Sequence, residues 1–155
     1  PAWDYRNTER LEALGVDFEV VYAGSETAAF AELDAAYKRG TPVLIVVWTP
    51  HWSVAKYDLV PVELPPYKDG CYAAGDDVST ASFDCGFAID PVAKLAWPGL
   101  KDEFPKAYQF LQNFTLSNTD QSAMVLAKVE EGKTDEEVAK EWITANKDIW
   151  EAWIP

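Results

Sequence analysis

Pro42-Val43-Leu44-Ile45-Val46-Val47-Trp48 decides the fold class. The segment is apolar throughout and partly β-branched, which predicts a parallel strand covered on both faces rather than one with a wet side. Upstream, Ser25 is placed to cap a helix. Its apolar positions Phe30, Leu33 and Tyr37 fall at i, i+3 and i+7, and Arg39 and Gly40 close it. Before that helix, Phe18, Val20 and Tyr22 alternate as in a strand, and residues 4–14 read as a further helix stopped by Gly15. Residues 4–48 therefore predict the order α-β-α-β of an open α/β sheet. Downstream the grammar changes. Pro50, Pro61, Pro65 and Pro66 punctuate a short apolar stretch at 59–64, which predicts a crossover. A strand is expected at 87–89, followed by three C-terminal helical stretches. The first carries Phe104, Tyr108 and Leu111, and the second Met124 and Val129. The third opens with a Thr134/Glu137 capping box and places Val138, Trp142, Ala145 and Ile149 at spacings of 4, 3 and 4.

Charge narrows the partners. Thirteen Lys plus Arg against 26 Asp plus Glu give a net charge of −13. Such a surface repels phosphate backbones, so nucleic acid is excluded as a partner, while acidity of this kind also simply favours solubility. The longest apolar run is far short of the ~20 residues that span a bilayer. No charged and then apolar leader opens the chain, so an export signal is expected upstream or already removed. Aromatic residues make up 14% of the chain, including seven Trp, and this excess invites a binding role.

Cys71 and Cys85 bracket a segment rich in Gly, Asp and Ser, with neither redox spacing nor metal-ligand partners nearby. The spacing favours a disulfide over two free thiols, and a disulfide implies a periplasmic or extracellular location. Asp69, Asp76, Asp77 and Asp84 crowd the same loop, but their spacing matches no calcium loop, so no metal is expected. No cofactor is expected, and the chain is not read as an enzyme. It has one His, no G-x-S-x-G elbow, no H-E-x-x-H and no phosphate-cradling glycine loop.

Immediately after the apolar segment stands Trp48-Thr49-Pro50-His51-Trp52. Ligands of open α/β sheets bind beyond strand C-termini, so two indoles and an imidazole are expected to meet where a ligand would. Three stretches together resemble the substrate-binding proteins of glycine betaine, choline and trimethylamine N-oxide ABC transporters. These are Ala35-Ala36-Tyr37-Lys38-Arg39-Gly40-Thr41-Pro42-Val43, the Trp48 to Trp52 block, and Ala55-Lys56-Tyr57-Asp58-Leu59. Asp84-Cys85-Gly86 and Phe110-Leu111-Gln112-Asn113-Phe114 look like the same family.

That resemblance implies a type II periplasmic-binding-protein fold in which this chain is the second half. Residues 1–48 would supply part of the middle lobe, and residues 49–155 the crossover and C-terminal completion of the first. It also implies capture of a quaternary amine or amine oxide in an aromatic box, with an ABC permease and the N-terminal half of the same protein as partners. Location would be periplasmic or extracellular, with membrane tethering open. Quaternary ammonium has no N–H to donate, so aromatic faces must hold it, each for about 0.5–2 kcal/mol. By the same resemblance Trp48 and Trp52 are the box residues, and Trp3 contributes a further contact. His51 either donates to a ligand carboxylate or braces the turn, and Asp4 either accepts from a ligand or caps the first helix. A sensor or docking module built on the same lobes is the alternative function.

Overall fold

The computed structural model describes residues 6–72 and 79–155. Among them stand eight helices, α1 (Asn7–Ala13), α2 (Glu26–Arg39), α3 (Trp52–Lys56), α4 (Leu100–Glu103), α5 (Pro105–Asn113), α6 (Asn118–Glu131), α7 (Asp135–Ala145) and α8 (Lys147–Glu151). The chain divides into two compact units, one of Pro1–Ile45 with Val60–Asp90, the other of Val46–Leu59 with Pro91–Pro155.

The expected open α/β sheet is not there. No strand occurs among the described residues, and segments 18–22, 42–48 and 87–89 run without one. The physical reason is partnership. A helix closes its N–H to C=O bonds within four residues, whereas a strand needs a neighbouring strand to accept and donate. None of the three apolar segments has such a neighbour among the described residues, and Val43, Leu44, Val46 and Trp48 are exposed where two-sided cover was expected. The type II sheet architecture is corrected accordingly.

Helix signals fared differently because they act locally. Ser25 Oγ accepts from the Ala28 N–H at 3.1 Å, and Gly40 ends α2 at φ 65°, a conformation that only glycine adopts without strain. Phe30, Leu33 and Ala36 are the buried positions of α2, while Tyr37, expected on that face, is exposed. The capping box of α7 is present. The Glu137 carboxylate accepts from the Thr134 N–H at 2.9 Å, and Thr134 Oγ1 accepts from the Glu137 N–H at 3.3 Å. The expected single C-terminal helix breaks at Asn146, whose backbone leaves the helical region and whose side chain donates to the Trp142 carbonyl at 2.8 Å. Ile149 therefore sits on α8 rather than in line with Trp142.

Within the unit of Pro1–Ile45 and Val60–Asp90, Cys71 and Cys85 are fully buried with their sulfurs 1.93 Å apart, at disulfide distance. Arg10 of α1 is buried beside them and donates through Nη1 to the Cys85 carbonyl. Its guanidinium lies over the Tyr72 ring at 4.8 Å and the Phe87 ring at 4.2 Å. Cation–aromatic contacts of this kind contribute about 0.5–2 kcal/mol when desolvated. Tyr72 Oη donates to the Gly86 carbonyl at 2.8 Å, and the Gly86 N–H donates to the Pro65 carbonyl at 2.6 Å. A Cβ on Gly86 would stand 3.0 Å from that same oxygen, so any larger residue there would have to push the Pro65 carbonyl back. Lys68 and Ser82 both donate to Asp84, and the Lys68 hydrogen bond holds its carboxyl below the usual aspartate range. Sequence pattern gave no warning of the Arg10 arrangement, because an arginine flanked by glutamates in a short helix reads as solvated.

In the second unit α3 packs on α6, α4 on α5, α6 on α7 and α7 on α8. Trp142 and Trp153 stack at 5.5 Å with ring planes 11° apart, and Phe114 meets Trp153 edge-on at 4.6 Å. This aromatic cluster is the core of the C-terminal helices, with Trp153 buried.

Candidate functional site

Two contacts to α6 hold the turn at 48–52, and a third holds the α3 helix that follows it. Asn118 donates to Thr49 Oγ1 at 3.3 Å, the His51 N–H donates to Ser122 Oγ at 3.1 Å, and Lys56 Nζ pairs with Glu130 Oε1 at 2.7 Å. Residues 118 and 122 lie about one turn apart on one face of α6, and Glu130 stands about two turns further along and part-way round the helix. The Thr49-Pro50 peptide is cis. An amphipathic helix placed more than 65 residues downstream thus fixes the turn, and nothing in the 48–52 block itself points to that partner.

His51 caps α3. Its Nδ1 lies 3.2 Å from the Ser53 backbone N–H and 2.8 Å from Ser53 Oγ. A backbone N–H can only donate, so Nδ1 accepts, and the neutral ring carries its proton on Nε2. The residue is 5% exposed and Ser53 is wholly buried. Cap geometry therefore commits one face of the imidazole to bracing the turn.

Around this imidazole the two indoles differ. Trp48 meets His51 edge-on at 5.0 Å and is 48% exposed. Trp52 lies 5.3 Å from His51, is half-buried, packs 6.2 Å from the Tyr57 ring, and has the Lys56 ammonium 5.5 Å over its face. The hydrogen bond to Glu130 raises the Lys56 pKa above its ordinary value, so that cation stays charged where it lies. A cation approaching Trp52 on that side meets a like charge, whereas the exposed Trp48 indole has no such cation over its face among the described residues.

A cleft of about 140 Å³ lies beside the turn, lined by Thr49, Val54, Ala55, Asn118, Thr119 and Ser122. It is smaller than the ~300 Å³ at which small-molecule pockets begin and carries no aromatic or charged side chain, so it does not enclose a ligand by itself. Of the residues the sequence singled out, Trp48, His51 and Trp52 come together, as do Cys71 and Cys85. Trp3 and Asp4, with Asp76 and Asp77 of the acidic loop, lie outside the described residues. Ser53, Ser122 and the Lys56–Glu130 pair were not foreseen. Ser53 alone had a signal, as a hydroxyl two residues after His51 at a helix start. Among the described residues no group of three or more His, Cys, Asp or Glu is placed to hold a metal ion, and no helix is long and apolar enough to cross a membrane.

Residues 1–145 match the family model described as the substrate binding domain of ABC-type glycine betaine transport system. The chain is 33% identical over 130 residues to the glycine betaine/carnitine transport binding protein GbuC of Listeria monocytogenes, covering 83% of this chain and 37% of that protein. It is 30% identical over 146 residues to the trimethylamine N-oxide-binding protein of Pelagibacter ubique, covering 92% of this chain and 44% of that one. The chain therefore spans less than half the length of these curated relatives.

Proposed function

Since the chain belongs to the family of substrate-binding domains of ABC-type glycine betaine transport systems, we propose that it is part of an extracytoplasmic binding protein that captures a quaternary-amine or amine-oxide osmolyte for import. The observation that carries this reading is the Trp48-His51-Trp52 array, tied to α6 by the His51 N–H bond to Ser122, with the Trp48 indole exposed. Aromatic faces suit a cation whose charge is spread over methyl groups. Names of the similar proteins, glycine betaine/carnitine and trimethylamine N-oxide, span ligands with that one feature in common.

Trp48 is the ligand-facing indole in this proposal and Trp52 the bracing one. Trp3 adds a contact, and the Nε2 side of His51 faces the anionic end of the ligand. Residues 1–48 belong to the middle lobe and 49–155 to the crossover and completion of the first, with the N-terminal half of the same protein supplying the rest of the box. Exposed Ile89, Val92 and Leu95, each above 90% accessible, support a further protein surface covering this chain. The loaded protein docks on an ABC permease, no reaction is catalysed, and the Cys71–Cys85 bond forms in an oxidising periplasmic or extracellular setting. A sensor module on the same scaffold has no stated observation in its favour.

Calorimetric titration of the full-length protein at fixed salt tests the assignment. Glycine betaine, carnitine, choline and trimethylamine N-oxide are the ligands, with glycine as the unmethylated control. Saturable heat from at least one methylated ligand and none from glycine is the expected result. Equal responses to glycine, or none at all, would overturn the aromatic-capture reading.

A further inference from the structure

Among the described residues Arg10 finds a hydrogen-bond partner for one of its three guanidinium nitrogens. Nη1 donates to the Cys85 carbonyl, while Nε and Nη2 are buried and have no hydrogen-bond partner among the described residues. Those two nitrogens are not an arbitrary pair. In a guanidinium the Nε–H and the facing Nη2–H point the same way from one edge, spaced to meet the two oxygens of a carboxylate. The residue is 4% exposed and lies over the Tyr72 and Phe87 rings. Buried donors left unmatched on a charged group are costly, and a guanidinium keeps its charge rather than shedding it.

We propose that the Nε–Nη2 edge of Arg10, held over Tyr72 and Phe87 beside the Cys71–Cys85 pair, is a bidentate carboxylate-binding site. This assignment is independent of the aromatic turn at 48–52. Three anchors hold the fork. The Cys85 carbonyl fixes one nitrogen, the two rings fix the plane, and the Tyr72 hydroxyl is itself tied to the Gly86 carbonyl at 2.8 Å. Tyr67 stacks on Tyr72 at 5.7 Å and stiffens the ring further. Because both nitrogens are shut off from water, a carboxylate bound there would be desolvated, the condition in which such a fork is strongest. Chloride, a single sphere, meets the fork with one acceptor where a carboxylate offers two, so a carboxylate is the better-matched ligand. That carboxylate comes either from a small solute or from an acidic side chain of the protein.

The test is an NMR titration of the Arg10 Nε–H in the full-length protein. The resonance is assigned by its loss in Arg10→Lys, which keeps the charge and removes the fork. Sodium acetate is titrated against sodium chloride at constant ionic strength. A saturable downfield shift with acetate, half-complete at a concentration at least tenfold below any chloride effect, supports a solute carboxylate. A resonance already downfield, indifferent to acetate and coupled through the hydrogen bond to an Asp or Glu carboxyl carbon, supports the side-chain source. A resonance that ignores acetate and shows no carboxyl coupling overturns the proposal, whatever its exchange rate with water. Should Arg10→Lys fail to fold, selective labelling of the wild-type protein still gives the same three readings.

Discussion

The two compact units spend their apolar residues differently. Six helices, α3 to α8, make up the unit of Val46–Leu59 and Pro91–Pro155, and each pairs with a neighbour through faces that local spacing set. Among the described residues the unit of Pro1–Ile45 and Val60–Asp90 holds α1 and α2 alone, with extended apolar segments that leave Phe18, Val21, Tyr22 and Val60 exposed. Its order rests instead on a buried arginine, a cysteine pair and one helix core. Helices complete their own backbone hydrogen bonds and can be self-sufficient in a partial chain, whereas extended apolar segments depend on partners far away or outside it.

This contrast makes quantitative predictions. Leu33 is wholly buried on α2, and Leu33→Ala is expected to destabilise the first unit by about 2–5 kcal/mol in denaturant unfolding. An equal loss of signal from the α5–α8 helices would mean that the two units unfold as one. Removing the cysteine cross-link, by reduction or by Cys71→Ser with Cys85→Ser, should cost about 3 kcal/mol for a loop of this length. Far-UV dichroism of the helical unit should change little, since its cysteine content is zero. In that helical unit Thr134→Ala is expected to cost about 1 kcal/mol, read as a lower midpoint for α7, because the hydroxyl that accepts from the Glu137 N–H is lost while the backbone N–H at 134 still donates to the Glu137 carboxylate.

The smallest effect is the response to pH. Asp84 and Asp120 are held below the ordinary aspartate value of 3.8, the first chiefly by Lys68 and the second chiefly by the Ser117 hydroxyl with the Trp142 indole near it. Glu137 is held below 4.5 by the Thr134 N–H. Below these ordinary values the unfolded chain binds more protons than the folded one. The stability they contribute is thus complete above about pH 4.5 and is lost as pH falls through the lowered folded values. The Lys56–Glu130 pair behaves oppositely. Its contribution is present below pH 10.5 and disappears as pH rises through the raised Lys56 value. Unfolding midpoints between pH 3 and 6 should fall on the acid side, and Glu137→Gln should flatten part of that slope.

Legibility in the sequence follows the same physical line. The caps at Ser25, Gly40 and Thr134 were readable because each is settled within four residues. The aromatic turn was readable as composition and as family resemblance, and His51 has the Trp48 and Trp52 rings 5.0 and 5.3 Å away, an arrangement that adjacency in the chain already favours. The strands failed, since a run such as residues 42–48 states that it is apolar but not what will lie beside it. The break at Asn146 was missed because i+3 and i+4 spacing continues across it, while the Asn side chain competes for the Trp142 carbonyl. The bracing of the turn and of α3 by Asn118, Ser122 and Glu130 was invisible for a simpler reason. All three are polar and read as solvent-facing, and only Ser122 is in fact buried, while Asn118 and Glu130 stay exposed and reach their partners from the surface.

The central claim is that Trp48, and not Trp52, presents its face to a methylated cation. Tryptophan fluorescence of the full-length protein, titrated with glycine betaine and trimethylamine N-oxide at fixed salt, tests it most directly when run on Trp48→Ala, Trp48→Phe and Trp52→Phe. Loss of one cation–indole contact, about 0.5–2 kcal/mol, corresponds to about a 2- to 30-fold weaker Kd. Trp48→Ala should show that weakening, Trp48→Phe should recover part of it, and Trp52→Phe should leave Kd within about twofold while altering the baseline spectrum. Full affinity in Trp48→Ala with binding lost in Trp52→Phe would contradict the account.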